Sequence, residues 1–416
     1  MEGNSNTWHL KKNSNGESTL YLDVPGQTQN TLGRPVLDGF EAYLSELEKS
    51  PPEALFIRSR KKSGFMAGAD IEELSGSSPE ELKALIDQGH KALKRLEALP
   101  CPTVAVIHGT CLGGGLEVAL ACDHRVADMG ASFGFPEVQL GLHPGLGGTE
   151  RFPKLVEPAT ALQLMLTGKT INAKKAKQIG LLRDAVPDRH LDAAAAAAAK
   201  AGKQQKDRGF IDGVKHTLEM SSPGKRLIAS RARKEAGKRF DKEDYPAPFA
   251  LIDLFEHETG SDDAFEAEAR SFVELSQTQT SKNLINLFLR REALKREARR
   301  PEGHGISHVH VIGAGTMGAD IAMWSAMNGF TVTLQDIDNK VIAKAMGRAH
   351  DWMDGKTDRS DDIRDPLDRL IPDPKGDGVR MADLVIEAGP EKAEIKQKIY
   401  DGLMGELKPG AIIATN

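Results

Sequence analysis

PTVAVIHGTCLGGGLEVALACD, residues 102–123, is the stretch from which the rest of the chain is read. Its first part, TVAVI, is an unbroken apolar and β-branched run, as expected for a strand buried on both faces. Gly113, Gly114 and Gly115 then end the strand-loop and open a helix, LEVALACD. Inside that helix stands Glu117. An ionised carboxylate among so many apolar residues is unfavourable unless something nearby partners it or uses it.

A second carboxylate lies twenty residues further on. Glu137 sits in SFGFPEVQLGLHPGLGGTERFPKLV, another apolar, glycine-rich stretch. Upstream, SGFMAGADIEEL adds a close-approach turn at Gly68-Ala69. Two buried carboxylates facing one cavity would hold their proton affinities apart, the arrangement that acid/base chemistry through a shared water needs. The glycines would let main-chain N–H groups approach a substrate oxygen, with a helix dipole behind them. Two purely structural, hydrogen-bonded glutamates remain the alternative. His108 follows the buried strand and reads as a loop or core histidine. His143, before Pro144, is assigned no role.

The 416 residues exceed what one ordinary core organises, so two or three domains are expected. With 55 basic and 60 acidic residues the net charge is −5, which argues against nucleic acid as the main partner. No stretch approaches the ~18 apolar residues of a spanning helix, and the polar start MEGNSNTWHLKKNSNGES has no secretory apolar core. Membrane association is therefore not indicated, and a cytoplasmic location is expected. Cys101, Cys111 and Cys122 lie 10 and 11 residues apart, which fits neither a zinc knuckle nor a redox pair, so they read as buried thiols. The twelve histidines show no metal-ligand spacing, and no metal site is expected.

From Leu20 to about Val186, strand-like runs (TLYLDV, ALFIRS, TVAVIHG) alternate with helical ones in a βαβ rhythm. The first dozen residues read as disordered. LDAAAAAAAK, residues 191–200, is a strong helix former with Asp192 placed as its cap. A charged, mostly helical region follows and ends in NLINLFLRREALKREARRP, read as a linker helix. PEGHGIS, from Pro301, is hinge-like. The expected division is residues 1–190, 191–300 and 301–416. Trp8, Trp324 and Trp352 read as packing residues.

After the hinge, Gly313, Gly315 and Gly318 form GxGxxG between the strand HVHVI and an apolar-periodic helix. A second strand, TVTLQ, leads to Asp336, 23 residues after Gly313. In this context the glycines let the backbone approach a pyrophosphate, and the aspartate accepts ribose hydroxyls and disfavours a 2′-phosphate, so NAD is the expected cofactor.

FMAGADIEEL, HGTCLGGGLEVALACD, FGFPEVQLGLHPGLGGTERFPKLV and LMLTGKTINAKKAKQIGLL together resemble the enoyl-CoA hydratase (crotonase) family. With the NAD-binding unit, Leu20 to Asn416 is similar to the α subunits of fatty-acid β-oxidation multienzyme complexes, the trifunctional type included. The resemblance implies an α/β fold: a crotonase-type ββα spiral domain with a helical extension, followed by an incomplete Rossmann domain. It implies that Glu117 and Glu137 are the catalytic pair and that the N–H groups of Ala69 and Gly114 form the oxyanion hole. A trans-2-enoyl-coenzyme A thioester would be hydrated to a 3-hydroxyacyl-CoA, and Asp70 would help to shape the pocket. A Δ3,Δ2-enoyl-CoA isomerase and a non-catalytic acyl-CoA or NAD-binding subunit are the rival readings. A thiolase β subunit is the partner implied.

In the second domain the resemblance places Gly313, Gly315 and Gly318 at the pyrophosphate, Asp336 at the adenosine ribose, and Glu391 and Lys396 near the cofactor. Two departures from the family pattern appear: Gly389-Pro390 replace the usual aliphatic residues, and Lys392 replaces an asparagine. The family's dehydrogenase histidine and its partners would lie beyond Asn416, so this 416-residue chain is not expected to carry out the dehydrogenation.

Overall fold

Thr103–Ile107 is buried at all five positions and lies inside a six-stranded sheet, as its unbroken apolar run requires. The strand order is Trp8–Lys12, Ser18–Leu22, Leu55–Ser59, Thr103–Ile107, His124–Asp128, Asp184–Val186. Only the first pair is antiparallel. The computed structural model describes residues 7–203, 210–297, 305–354 and 360–416. The chain divides into two compact units, residues 1–297 and 298–416.

The expected βαβ rhythm turns out to be a ββα rhythm. Leu55–Ser59, Thr103–Ile107 and His124–Asp128 are each followed by a three-residue strand: Gly64–Met66, Thr110–Leu112 and Ser132–Gly134. These short strands pair in parallel in a second sheet, which Ile171–Asn172 closes antiparallel. Three residues are too few to show a period of two, so the sequence pattern missed them. Their parallel alignment fixes the site: the segments that leave them, at Gly68-Ala69, Gly113-Gly114 and Pro136-Glu137, emerge at one end of one sheet.

Of the first dozen residues, read as disordered, 1–6 lie outside the described residues and the rest depart from expectation. Trp8–Lys12 is a strand paired to Ser18–Leu22, and it is anchored because Trp8 is buried. The indole stacks on Phe40 at 5.1 Å and its Nε1–H donates to the Val36 carbonyl at 2.8 Å. Fixing one large aromatic in this way offsets the entropy of ordering a short polar segment. The three cysteines are buried thiols, as expected.

The described residues from 191 to 297 are mostly helical and belong to the first unit. The Leu191–Lys200 helix is entered through His190, so Asp192 lies in its first turn rather than at its cap. Its carboxylate is drawn instead to Arg58 Nη2, 2.5 Å away. Helix Ala264–Gln277 buries Ala267, Glu268, Ala269, Phe272 and Leu275, and packs against helix Pro79–Ala98. Ala269, Phe272 and Leu275 share an apolar cluster with Leu82, Ile86 and Leu142. The segment read as a linker forms helix Gln279–Glu297, which belongs to the first unit and places Ile285 in that cluster. No helix of the described residues is long and apolar enough to cross a membrane.

The second unit is a five-stranded, fully parallel sheet in the order Leu370–Pro372, Thr331–Gln335, His308–Ile312, Leu384–Glu387, Ile412–Thr415. Chain-order strands 3-2-1-4-5 with intervening helices are the Rossmann arrangement, whose ligand crevice lies at the strands' C-terminal ends. Val311, Ala322, Val332 and Leu334 lie in its core. Trp352 packs against that core, but Trp324 is 61% exposed and is not a packing residue. Most of the hinge-like PEGHGIS segment lies outside the described residues.

Candidate active site

The ends of the three short strands converge on a cavity of about 550 Å³ lined by Ala69, Gly114, Glu117 and Glu137. Leu82, Ile86 and Leu146 form part of its apolar wall, and Phe272 and Phe288 from the helical extension complete it. Four residues separated by up to 68 positions in sequence thus face one space.

Each is positioned by its backbone. Leu32 N–H donates to the Gly68 carbonyl and Asp70 N–H to the Leu32 carbonyl, a parallel bridge that turns the Ala69 N–H the other way. Gly114 is the first residue of helix Gly114–Leu120, where a main-chain N–H has no intrahelical acceptor. Neither N–H has an acceptor among the described residues, and both belong to residues lining the cavity. Gly113, just before the helix, adopts φ 50° and ψ −127° and donates to the Gly134 carbonyl at 2.9 Å. A Cβ there would lie 2.4 Å from Glu137 Oε1, so only glycine lets the turn and the carboxylate share this corner. Asp70 caps helix Ile71–Gly76 by accepting from the Glu72 and Glu73 N–H groups, both at 3.1 Å.

The two glutamates differ in their surroundings. Glu117 is buried on its helix, and its Oε1 accepts from the N–H groups of Leu146 and Gly148, both at 2.7 Å. Glu137 is the second residue of the 3-10 turn Pro136–Leu140 and is half-buried as a residue. Its Oε2 is fully enclosed and has no protein hydrogen-bond partner. Burial raises the proton affinity of both. Desolvation, then the charges of Glu268 and Glu137, push Glu117 well above the usual carboxylate range, opposed by its two N–H donors. Desolvation carries Glu137 up to about 8, with its own main-chain N–H opposing and Glu268 adding to the rise.

In the second unit the three glycines have three functions. Gly313, at φ 99°, turns the chain against the Ala388 carbonyl, which a Cβ would meet at 2.6 Å. A Cβ on Gly318 would lie 1.8 Å from the Gly313 carbonyl oxygen, so glycine is needed for the helix to close on the strand. Around Gly315, by contrast, there is open space, as an approaching pyrophosphate requires. Asp336 Oδ2 accepts from Ala314 N–H at 2.7 Å, which ties the end of the second strand to the glycine turn. Glu391 and Lys396 are brought together at 3.1 Å, and Lys396 also pairs with the buried Glu387 at 3.0 Å. Glu387 further accepts from Gly389 N–H and the Thr415 hydroxyl, so it organises this corner although it was not singled out from sequence. Gly315→Ala is expected to fold normally and to weaken NADH binding at least tenfold, roughly 1.4 kcal/mol, in a fluorescence titration. An unchanged affinity would remove the pyrophosphate from this turn.

A family model described as "Enoyl-CoA hydratase/isomerase" matches residues 18–235, just over half of the chain. The chain belongs to the enoyl-CoA hydratase/isomerase family. A second model, "3-hydroxyacyl-CoA dehydrogenase, NAD binding domain", matches residues 308–416. The chain is similar to the fatty acid oxidation complex subunit alpha of Shewanella putrefaciens (strain CN-32 / ATCC BAA-453), 36% identical over 423 residues covering 99% of this chain and 60% of the relative. It is also similar to that of Shewanella halifaxensis (strain HAW-EB4), 35% identical over 426 residues with the same coverage. The chain therefore spans about three fifths of the length of these curated relatives. A solved enoyl-CoA hydratase from Bacillus halodurans matches with a TM-score of 0.49 at 18% identity, over 68% of this chain and 99% of that one.

In this hydratase/isomerase-family chain neither His108 nor His143 is among the residues that line the cavity. His108 Nε2 bonds the Lys61 carbonyl at 2.7 Å. His143 is fully buried, with Nδ1 against the Pro144 carbonyl and Nε2 against Ser271 Oγ, and desolvation lowers its proton affinity. Among the described residues no cluster of His, Cys, Asp or Glu has the form of a metal site.

The raised glutamates make stability depend on pH in a defined direction. The folded state binds these protons more tightly than the unfolded chain does. Their stabilising contribution is therefore complete below the ordinary value of 4.5 and falls as pH rises, ending for Glu137 near 8. Each such group contributes a slope of at most about 1.4 kcal/mol per pH unit. Urea midpoints between pH 5 and 9 are expected to fall more steeply for the wild type than for Glu137→Gln. Parallel curves would contradict the buried, proton-binding Glu137.

Proposed function

We propose that residues 1–297 hydrate trans-2-enoyl-CoA thioesters. The observation that carries this reading is the asymmetry of the two carboxylates that share one apolar cavity with two acceptor-free N–H groups. Glu117 accepts two N–H bonds, which favour its ionised form, whereas Glu137 Oε2 is enclosed and unpartnered, suited to hold a proton. In the working state of the pair Glu137 carries the proton and Glu117 is ionised. Glu117 orients a water and removes its proton as the oxygen attacks C3 of the enoyl group. The C2=C3 π pair moves toward the thioester, and Glu137 delivers its proton to C2. The Ala69 and Gly114 N–H groups hold the thioester oxygen as enolate charge grows there, one such donor being worth ~3 kcal/mol. The net change is addition of one water, giving a 3-hydroxyacyl-CoA.

An isomerase needs one carboxylate to carry a proton between C4 and C2, and the second glutamate in the cavity favours hydration. Incubation with 2-enoyl and 3-enoyl thioesters of equal length separates the two. Loss of the conjugated absorbance with formation of the 3-hydroxy product supports the hydratase. Turnover of the 3-enoyl thioester alone would make the chain an isomerase.

The three-part division of the chain, at residues 190 and 300, is retained in this reading. Residues 191–300 serve as an extension whose Phe272 and Phe288 wall the acyl cavity. Residues 301–416 hold NAD through Gly313, Gly315 and Gly318 at the pyrophosphate and Asp336 at the ribose, with Glu391 and Lys396 at the same end of the sheet. NAD bound there would supply a hydride acceptor, the chemistry of the dehydrogenase family whose NAD-binding domain these residues match. The relatives' name as complex subunits supports assembly into a multienzyme complex, and a thiolase β subunit is the partner this reading proposes.

A further inference from the structure

A third buried carboxylate lies behind the catalytic loop. Glu268, on helix Ala264–Gln277, has no solvent exposure. Its Oε1 accepts from Gly147 N–H at 2.6 Å and bonds His90 Nε2 at 3.0 Å. Its Oε2 accepts from Thr149 N–H at 3.0 Å and from the Thr149 hydroxyl. The loop it holds is the one that binds Glu117. Leu146 and Gly148 donate to Glu117, while Gly147 and Thr149 donate to Glu268. Four consecutive N–H groups thus alternate between two carboxylates, and the second carboxylate comes from the helical extension.

We propose that Glu268 is a positioning residue for the hydration site, acting through residues 146–149 to aim Glu117 at its water. The proposal rests on the hydratase reading above. A core carboxylate with no catalytic task is normally replaced by apolar packing at little loss, because a buried charge must recover its desolvation through partners. Here the partners are all supplied: His90, two N–H groups and a hydroxyl.

The electrostatics agree with the geometry. The groups facing Glu268 are His90 from helix Pro79–Ala98, His143 from the loop before residue 146, and the two glutamates of the cavity. Burial opposes its ionisation, yet His90, Thr149 and His143 together hold it below the usual carboxylate range. Arg151, the nearest guanidinium on helix Gly148–Leu155, is committed to Glu97 and to the Leu146 carbonyl. Glu268 therefore keeps its charge where that charge disfavours ionisation of Glu117. Two carboxylates at one helix N-terminus are pushed in opposite directions, which separates a fixed anion from a working base.

The test compares Glu268→Gln, Thr149→Val and the pair Glu117→Gln and Glu117→Gln/Glu268→Gln, with hydration of crotonyl-CoA followed by kcat, KM and the pH profile. The wild type is run alongside: no hydration by the wild type overturns the functional reading itself, whatever the variants do. With an active wild type, Glu268→Gln is expected to lower kcat on the order of 100-fold with little change in KM. The acid limb of its profile, which belongs to the coupled carboxylates, should move to lower pH by about one unit or more, because a base freed of a neighbouring negative charge ionises sooner. A structural role alone would leave that limb in place. In a Glu117→Gln background the second substitution is expected to add nothing to the loss. Wild-type kcat and an unmoved acid limb in Glu268→Gln overturn the proposal, as does a full multiplicative loss in the double variant. If Glu268→Gln does not fold, Thr149→Val decides: it removes one hydroxyl donor and keeps the N–H and the charge. A several-fold fall in kcat at constant KM supports the positioning role, and wild-type kcat rejects it.

Discussion

Glu137→Gln is expected to slow hydration of crotonyl-CoA by ~10²–10⁴-fold, the range for loss of a positioned acid or base, with KM nearly unchanged. The side chain keeps its shape, and because Oε2 has no protein partner, no hydrogen bond of that oxygen is broken. What disappears is the proton delivered to C2. The substitution also removes a carboxyl that burial holds near 8, so the variant is expected to be no less stable than the wild type, and more so in alkaline solution. Stopped catalysis with retained stability separates an acid from a structural glutamate. A fall in both, with KM raised in proportion, would show that Glu137 holds the loop together and does no chemistry.

The second large effect is expected from Gly113→Ala. At φ 50° and ψ −127° an L-side chain is strained, by about 1–3 kcal/mol, and the added Cβ would stand 2.4 Å from Glu137 Oε1. The strain can relax only by turning the peptide that carries the Gly114 N–H or by displacing Glu137. Either movement changes the spacing between the Gly114 N–H and the Glu137 carboxyl, and on the proposed mechanism a displacement of ~1 Å is enough to lose about 10²-fold in rate. Gly114→Ala is the control. Its Cβ would meet the Leu32 and Leu146 methyl groups at 3.0 and 3.4 Å, soft side-chain ends able to yield, and its N–H is retained. The expected order of kcat is wild type, then Gly114→Ala, then Gly113→Ala far below. Equal losses in the two variants would mean that crowding, not the turn, limits the site.

Legibility of this site in the sequence followed the chemistry. Glycine and glutamate in an apolar run are locally conspicuous, because each violates what a buried strand or helix prefers. Glu117, Glu137 and the GxGxxG glycines therefore stand out, and the structure brings Glu117, Glu137, Ala69 and Gly114 to one cavity. Glu268 gave no such signal. It sits in AFEAEARSFVELS, where a glutamate looks like any exposed helical residue, and its partners are 121, 119 and 178 positions away. Only the docking of one helix onto another buries it. Long-range anchoring likewise explains the N-terminal strand, which Trp8 and Phe40 hold against a polar local composition, and Asp192, which Arg58 draws away from the helix end. Trp324 is the converse case: a large aromatic in an apolar-periodic helix reads as a packing residue, yet it is mostly exposed.

The central claim is that Glu117 and Glu137 act as one unit on a shared water. Hydration of crotonyl-CoA by the wild type, Glu117→Gln, Glu137→Gln and the double variant, measured as loss of the conjugated thioester absorbance, tests it most directly. The expected result is turnover by the wild type, collapse in each single variant, and a double variant within about tenfold of the poorer single one, since groups that work together are not additive when removed. Either single variant hydrating at the wild-type rate, or single losses that multiply in the double variant, would contradict it.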